Sequence, residues 1–152
     1  MRYWIAVGLS LCLLSSGAAR AETRPTLLFS CAIGAKTVSV TKTGTRFVYR
    51  FGTDSHSDMT IVGDPVAGNI FRLRQMYAGP ETQVRFTIGE FSYIVLAAEG
   101  NANVGARSIA GVTVMRGLKN IAFTTCARFT EFVGFDEAFS AVPEDTESYS
   151  GM

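Results

Sequence analysis

The sequence predicts a single all-β domain, a small antiparallel sandwich or barrel of about eight to nine strands with a short C-terminal helical turn. Three observations carry that expectation. Apolar and polar residues alternate with period two along most of the chain, as they do on a strand with one dry and one wet face. The alternating segments are short and are parted by Gly, Pro, Asn and Asp at roughly 8–12-residue spacing. Helical signals are confined to the C-terminal end. A chain of 152 residues fits one domain, and 47% hydrophobic content is too high for disorder.

In chain order, Leu27–Ile33 is an apolar strand ending at Gly34, and Lys36–Thr41 alternates Val38 and Val40 with Thr and Ser. Thr43 and Gly44 mark a turn. Arg46–Phe51 sets Phe47, Tyr49 and Phe51 against Arg46, Val48 and Arg50. Gly52–Asp58 reads as a polar loop, and Met59–Val62 as a short strand stopped by Gly63-Asp64-Pro65. Ile70–Tyr77 alternates, with Phe71, Leu73 and Tyr77 on the expected dry face and Arg72, Arg74 and Met76 on the wet one. Gln83–Ile88 and Phe91–Ala97 follow, joined by Gly89-Glu90. Glu99–Ser108 is a loop by composition. Ile109–Met115 and Lys119–Thr124 form a hairpin across Arg116-Gly117. Asp136 is placed to cap a short turn through Glu137, Ala138, Phe139 and Val142, which Pro143 stops. The domain is expected over 22–142, with a polar, acidic tail over 143–152 that is expected to be flexible or loosely docked.

The first residues are of another kind. Met1 and Arg2 precede an apolar run from Tyr3 to Leu14, and Ala19-Arg20-Ala21 supplies the small residues a signal peptidase reads. This predicts a cleavable secretory signal over 1–21, cut after Ala21, and a periplasmic or secreted product. The run is about 12 residues, short of the roughly 20 that span a bilayer, so no transmembrane segment is expected. Cleavage removes Arg2 and Arg20 and takes the net charge from +1 to −1. Near-neutral charge argues against a nucleic-acid binder driven by bulk charge. Cys31 and Cys126 remain, and an even pair in an oxidising compartment predicts a disulfide between them. With one histidine after the signal, four soft ligands cannot be gathered, so neither a metal nor a cofactor is expected.

Candidate functional residues fall into three groups. Arg46, Arg50, Arg72, Arg74 and Arg85 occupy the polar phase of their strands. If those strands were neighbours, one sheet face would offer several guanidinium groups to a protein partner or an anionic envelope component. His56, in Asp54-Ser55-His56-Ser57-Asp58, is the one histidine able to act as a general base beside Asp54 and Asp58. Phe129, Phe132, Phe135 and Phe139 form a late aromatic set, read either as a lid over an open end of the fold or as an exposed partner site.

Phe29-Ser30-Cys31-Ala32-Ile33-Gly34, Tyr49-Arg50-Phe51-Gly52, Arg85-Phe86-Thr87-Ile88-Gly89 and the late Cys126 resemble the pattern of a group of small exported bacterial proteins. The early Cys followed by Gly is similar, more distantly, to periplasmic inhibitors of c-type lysozyme, which are compact β-barrels with a strand-spanning disulfide. Their inhibitory Ser-Gly-x-x-Tyr loop has no counterpart here, so the resemblance bears on architecture. The expected function is a non-catalytic exported binding protein, of inhibitor or immunity type, acting on a secreted enzyme or toxin. The alternatives are a small envelope hydrolase using His56 with Asp54 and Asp58, and a structural component of the envelope.

Overall fold

A computed structural model describes residues 24–76 and 79–147. The expected signal peptide, Tyr77 and the last five residues lie outside the described residues. Ten strands form two five-stranded antiparallel sheets. The first has the order β10-β1-β2-β3-β4, built from β1 (Thr26–Ile33), β2 (Lys36–Thr43), β3 (Arg46–Gly52), β4 (Ser57–Gly63) and β10 (Arg128–Thr130). The second has the order β5-β6-β7-β8-β9, built from β5 (Ile70–Met76), β6 (Pro80–Ile88), β7 (Phe91–Ala98), β8 (Ile109–Arg116) and β9 (Lys119–Thr125). One helical turn, α1 (Phe135–Ala138), follows β10. The sheets do not close on each other, so the fold is a sandwich and not a barrel.

β1–β4 and β5–β9 are each meanders of hairpins, which is what tight turns between alternating segments dictate, while β10 crosses back from the second sheet to pair with β1. Gly34, Gly44, Gly89 and Gly117 hold φ near +60° at four of these turns, a conformation glycine adopts without the Cβ clash other residues suffer. The first sheet turns Phe29, Cys31, Val38, Val40, Phe47, Tyr49 and Ile61 inward. The second meets them with Ile70, Val84, Phe86, Val95, Ala97, Ala110 and Val112. The sheets approach closely at Gly63, where a Cβ would lie 2.8 Å from Phe86 Cε1 and 3.0 Å from Ile70. Cys31 on β1 is bonded to Cys126 just after β9, with Cα atoms 5.2 Å apart, so the expected disulfide ties one sheet to the other.

Of the late phenylalanines, Phe132, Phe135 and Phe139 are a lid, and Phe129 is a strand residue of β10 opposite Cys31. Phe132 stacks on Phe29 with ring centroids 4.7 Å apart, and Phe139 on Phe47 at 4.9 Å. Phe135 lies 5.4 Å from Phe132 and 5.1 Å from Phe139, closing one end of the sandwich. Gly134 begins the turn in a left-handed conformation, so Asp136 is not its cap. It sits in the first turn, where the helix dipole favours a carboxylate and the side chain is free to pair with arginine.

The acidic tail, expected to be flexible or loosely docked, is docked on the domain as far as Glu147. Arg72 N–H donates to Pro143 O at 2.9 Å and Asp145 N–H to Arg72 O at 2.7 Å, which lays this segment parallel along the edge of β5.

Candidate functional site

The five arginines do not share a face. Arg46 and Arg50 point outward from the first sheet, in register with Thr43, Ser39 and Thr60. Arg50 Nη2 donates to Thr53 O within its own hairpin. The other three belong to the second sheet, and the wet phase expected for β5 is reversed. Ile70 pairs with Phe86, Arg72 with Val84 and Arg74 with Thr82, so Arg72 and Arg74 continue the inward-facing row past the end of the core. There they meet the C-terminal lid. Arg74 Nη1 lies 2.8 Å from Asp136 Oδ2, with its guanidinium 5.5 Å from the Phe135 ring centre. Arg72 Nε donates to Val142 O at 3.2 Å.

Arg85 is on the opposite face of the second sheet and is the most buried of the five. Its Nε and Nη2 donate to the two carboxylate oxygens of Asp145 at 2.7 and 2.6 Å. Its guanidinium stacks 4.5 Å from the Phe71 ring centre, and Nη1 lies 3.4 Å from Glu147. A planar, bidentate, ring-stacked guanidinium is a structural anchor. Arg72, Arg74 and Arg85 are therefore engaged with the chain's own C-terminal segment. An arginine stripe on a single sheet face, offered to an anionic partner, is not what the fold builds.

His56 stands at the tip of the β3–β4 hairpin with its side chain 77% exposed. Nε2 lies 3.7 Å from Asp58 Oδ1, and Asp58 is also 3.0 Å from Lys36 Nζ. The backbone there is a turn: Thr53 N–H donates to His56 O, and Thr53 Oγ1 accepts from His56 N–H. A histidine open to solvent, beside a carboxylate already paired with lysine, lacks the enclosed environment that tunes a general base.

One polar cluster carries no signal in the sequence. Glu81, at the start of β6, is fully buried, and its Oε1 accepts from Gln75 Nε2 at 2.8 Å and from Gln83 Nε2. Among the described residues its Oε2 has no hydrogen-bond partner. The buried neighbours on that outer face, Gln83, Arg85, Leu96 and Thr113, come from three strands. Only the tertiary register assembles them.

Two further features remain open to a partner. The first is β9, an edge strand exposed at all seven positions. Among the described residues no backbone group pairs with its outer side. Leu118 and Ile121 add exposed apolar surface, and the β8–β9 register shifts between Val114 and Met115, leaving Ile121 as the extra residue of a bulge. The second is a cavity of about 250 Å³ between the sheets, at the end opposite the aromatic lid. Val38, Tyr49 and Phe51 line one wall, and Tyr93, Val112 and Val114 the other. Burial and the neighbouring Tyr93 push the Tyr49 hydroxyl well above the ordinary phenol range, so it stays protonated.

No protein-family model, curated protein or solved structure matches this chain. Among the described residues no helix is long and apolar enough to cross a membrane, and no cluster of three or more His, Cys, Asp or Glu could hold a metal.

Proposed function

We propose that this is an exported, non-catalytic binding protein of inhibitor or immunity type, which holds a secreted enzyme or toxin through strand addition at β9. The carrying observation is that β9 presents seven exposed residues and that, among the described residues, no backbone group pairs with its outer edge. An unpaired edge offers a row of backbone donors and acceptors to an extended segment, and the side chains around it give specificity. Export is supported by the signal-like pattern over 1–21 and by the Cys31–Cys126 bridge, which suits an oxidising compartment. The arginines are no part of the docking surface in this reading, because three of the five hold the C-terminal segment.

A photo-crosslinking residue placed at Leu118, beside the β9 edge, tests it in the processed protein. Expected is a covalent adduct with one secreted enzyme or toxin. The adduct should fall at least fivefold when Ile121→Lys is added, and the captured enzyme should lose activity on titration with the wild-type protein. A matched probe at Thr60, on the outer face of the first sheet, should give no such adduct. Equal adducts from Leu118 and Thr60, or none from Leu118, would remove β9 as the docking edge.

A further inference from the structure

The cavity opposite the lid has the build of a small-molecule site. Its walls come from both sheets and are mainly aliphatic or aromatic, with Met59 and Thr124 among them, and no charged side chain lines it among the described residues. At the rim by Phe51, Lys36 Nζ lies 5.3 Å from the Phe51 ring centre and 3.0 Å from Asp58. An ion placed between the sheets would lose its hydration and gain no counter-charge, so the site selects neutral molecules. The polar side chains in the walls are those of Tyr49, Tyr93 and Thr124, and Tyr49 is the more enclosed of the two tyrosines. Tyr49 is only 3% exposed, and among the described residues no hydrogen bond reaches its hydroxyl or that of Tyr93. Among the described residues the fully buried side-chain atoms without a partner are Glu81 Oε2 and Thr113 Oγ1, so the Tyr49 hydroxyl keeps access to the cavity and can donate to a ligand's acceptor, for the modest net gain of one hydrogen bond. Size follows from volume. An apolar cavity of about 150 Å³ takes one benzene, so about 250 Å³ admits roughly ten non-hydrogen atoms.

We propose that this cavity binds a small, neutral, mainly apolar molecule of about ten non-hydrogen atoms, carrying one hydrogen-bond acceptor such as a carbonyl oxygen that takes the proton of Tyr49. Val38, Phe51, Val112 and Val114 enclose the apolar body, and the ring of Tyr93 flanks the acceptor. The site is separate from the β9 contact and stands or falls independently of it.

Two probes of equal size separate the apolar and polar parts of the proposal: propiophenone, with a carbonyl, and n-butylbenzene, without one. Each is titrated into the isotope-labelled, processed protein and followed by amide and methyl NMR shifts. Expected are saturable shifts centred on Val38, Val112 and Val114, with direct ligand-to-methyl Overhauser contacts to the two β8 valines in the wild-type protein. Propiophenone should bind about 3–10-fold more tightly than n-butylbenzene, the range one net hydrogen bond provides. Tyr49→Phe should erase that preference and leave n-butylbenzene unchanged. Val114→Phe, which fills the cavity, should weaken both probes at least tenfold with the thermal midpoint held. Shifts that never saturate, or that appear without Overhauser contacts to Val112 and Val114, overturn the site. This wild-type measurement decides even if Val114→Phe does not fold. Equal loss of both probes in Tyr49→Phe overturns the role given to its hydroxyl.

Discussion

Replacing Asp145 by asparagine removes one charge from an ion pair whose side chains are 10% exposed for Arg85 and 3% for Asp145. In water such a pair would contribute about 0–1 kcal/mol. Here both carboxylate oxygens accept from one guanidinium at 2.7 and 2.6 Å, in a setting screened from solvent. Removing one partner of a buried pair costs about 3–5 kcal/mol, chiefly because the other charge stays desolvated. Asparagine keeps one acceptor in place, and Glu147 remains 3.4 Å from Nη1, so the expected loss is at the low end, about 3 kcal/mol. Urea unfolding of the protein at neutral pH measures it. The thermal midpoint should fall by roughly 10 °C for a domain of this size.

Asp136→Asn is the internal control. Asp136 also contacts an arginine at 2.8 Å, but it is 68% exposed, and its loss should cost under about 1 kcal/mol. If Asp145→Asn costs no more than Asp136→Asn, the C-terminal segment is not anchored by Arg85 and the account of the tail is wrong. The double replacement Arg85→Met with Asp145→Leu should recover most of the loss, since apolar groups of similar volume often match a buried pair in stability.

Cys31→Ser with Cys126→Ser should lower stability by about 2–5 kcal/mol, read as the urea midpoint against the wild-type protein with and without reductant, because the bridge closes a loop with sequence separation 95. Gly63→Ala should cost about 1–3 kcal/mol by forcing Phe86 and Ile70 from their places; an unchanged midpoint would show slack between the sheets. The hydroxyl of Tyr49 is pushed above its ordinary value by burial, so the neutral form is the one folding favours. Its contribution is whole below about pH 10, the phenol value in the unfolded chain, and drains as the pH climbs above it. Absorbance titration near 295 nm should show one tyrosine ionising only with unfolding, and Tyr49→Phe should delete that step.

How far the sequence could be read depends on whether the information was local. Strand alternation is local, and Arg46–Phe51 has the inward Phe47, Tyr49 and the outward Arg46, Arg50 that its pattern predicts. The paired cysteines are decided by parity and compartment, and their bond is found. β5 fails for a definite reason. Period two separates the faces of a strand but does not say which faces the core, and Ile70-Phe71-Arg72-Leu73 carries apolar residues in both phases. The register with β6 decides it, placing Ile70 opposite Phe86. The arginines then have meaning only beside Asp136, Val142 and Asp145, some 60–70 residues away. Glu81 is hidden likewise, since its two amide donors and its burial come from Gln75, Gln83 and the tertiary register. β10, three residues long, lies below what alternation can register.

The fate of the sheet edges links the internal arginines to the surface left free. Two open sheets have four edges, and each is a potential pairing template. β10 exposes only three residues. On β4, Asn69 Nδ2 donates to Val62 O, and its Oδ1 accepts from Asp64 N–H, so a side chain occupies part of that edge. β5 is covered by 143–145, a segment held down by Arg72 and Arg85. The acidic tail and the basic strands thus complement each other within the molecule, and what they accomplish is closure of an edge. β9 has no equivalent cover among the described residues. It carries instead Lys119 at its start and a bulge at Ile121, two devices that deter indiscriminate edge pairing. Past the bulge, Ala122–Thr125 keep regular register with β8. An edge guarded at one end and regular over the remaining four residues suits a short, chosen strand more than a second copy of the whole edge. In an antiparallel β9–β9 pair centred on Ala122, the two bulges would disrupt the middle of the ladder. A partner strand matched to Ala122–Thr125 avoids them.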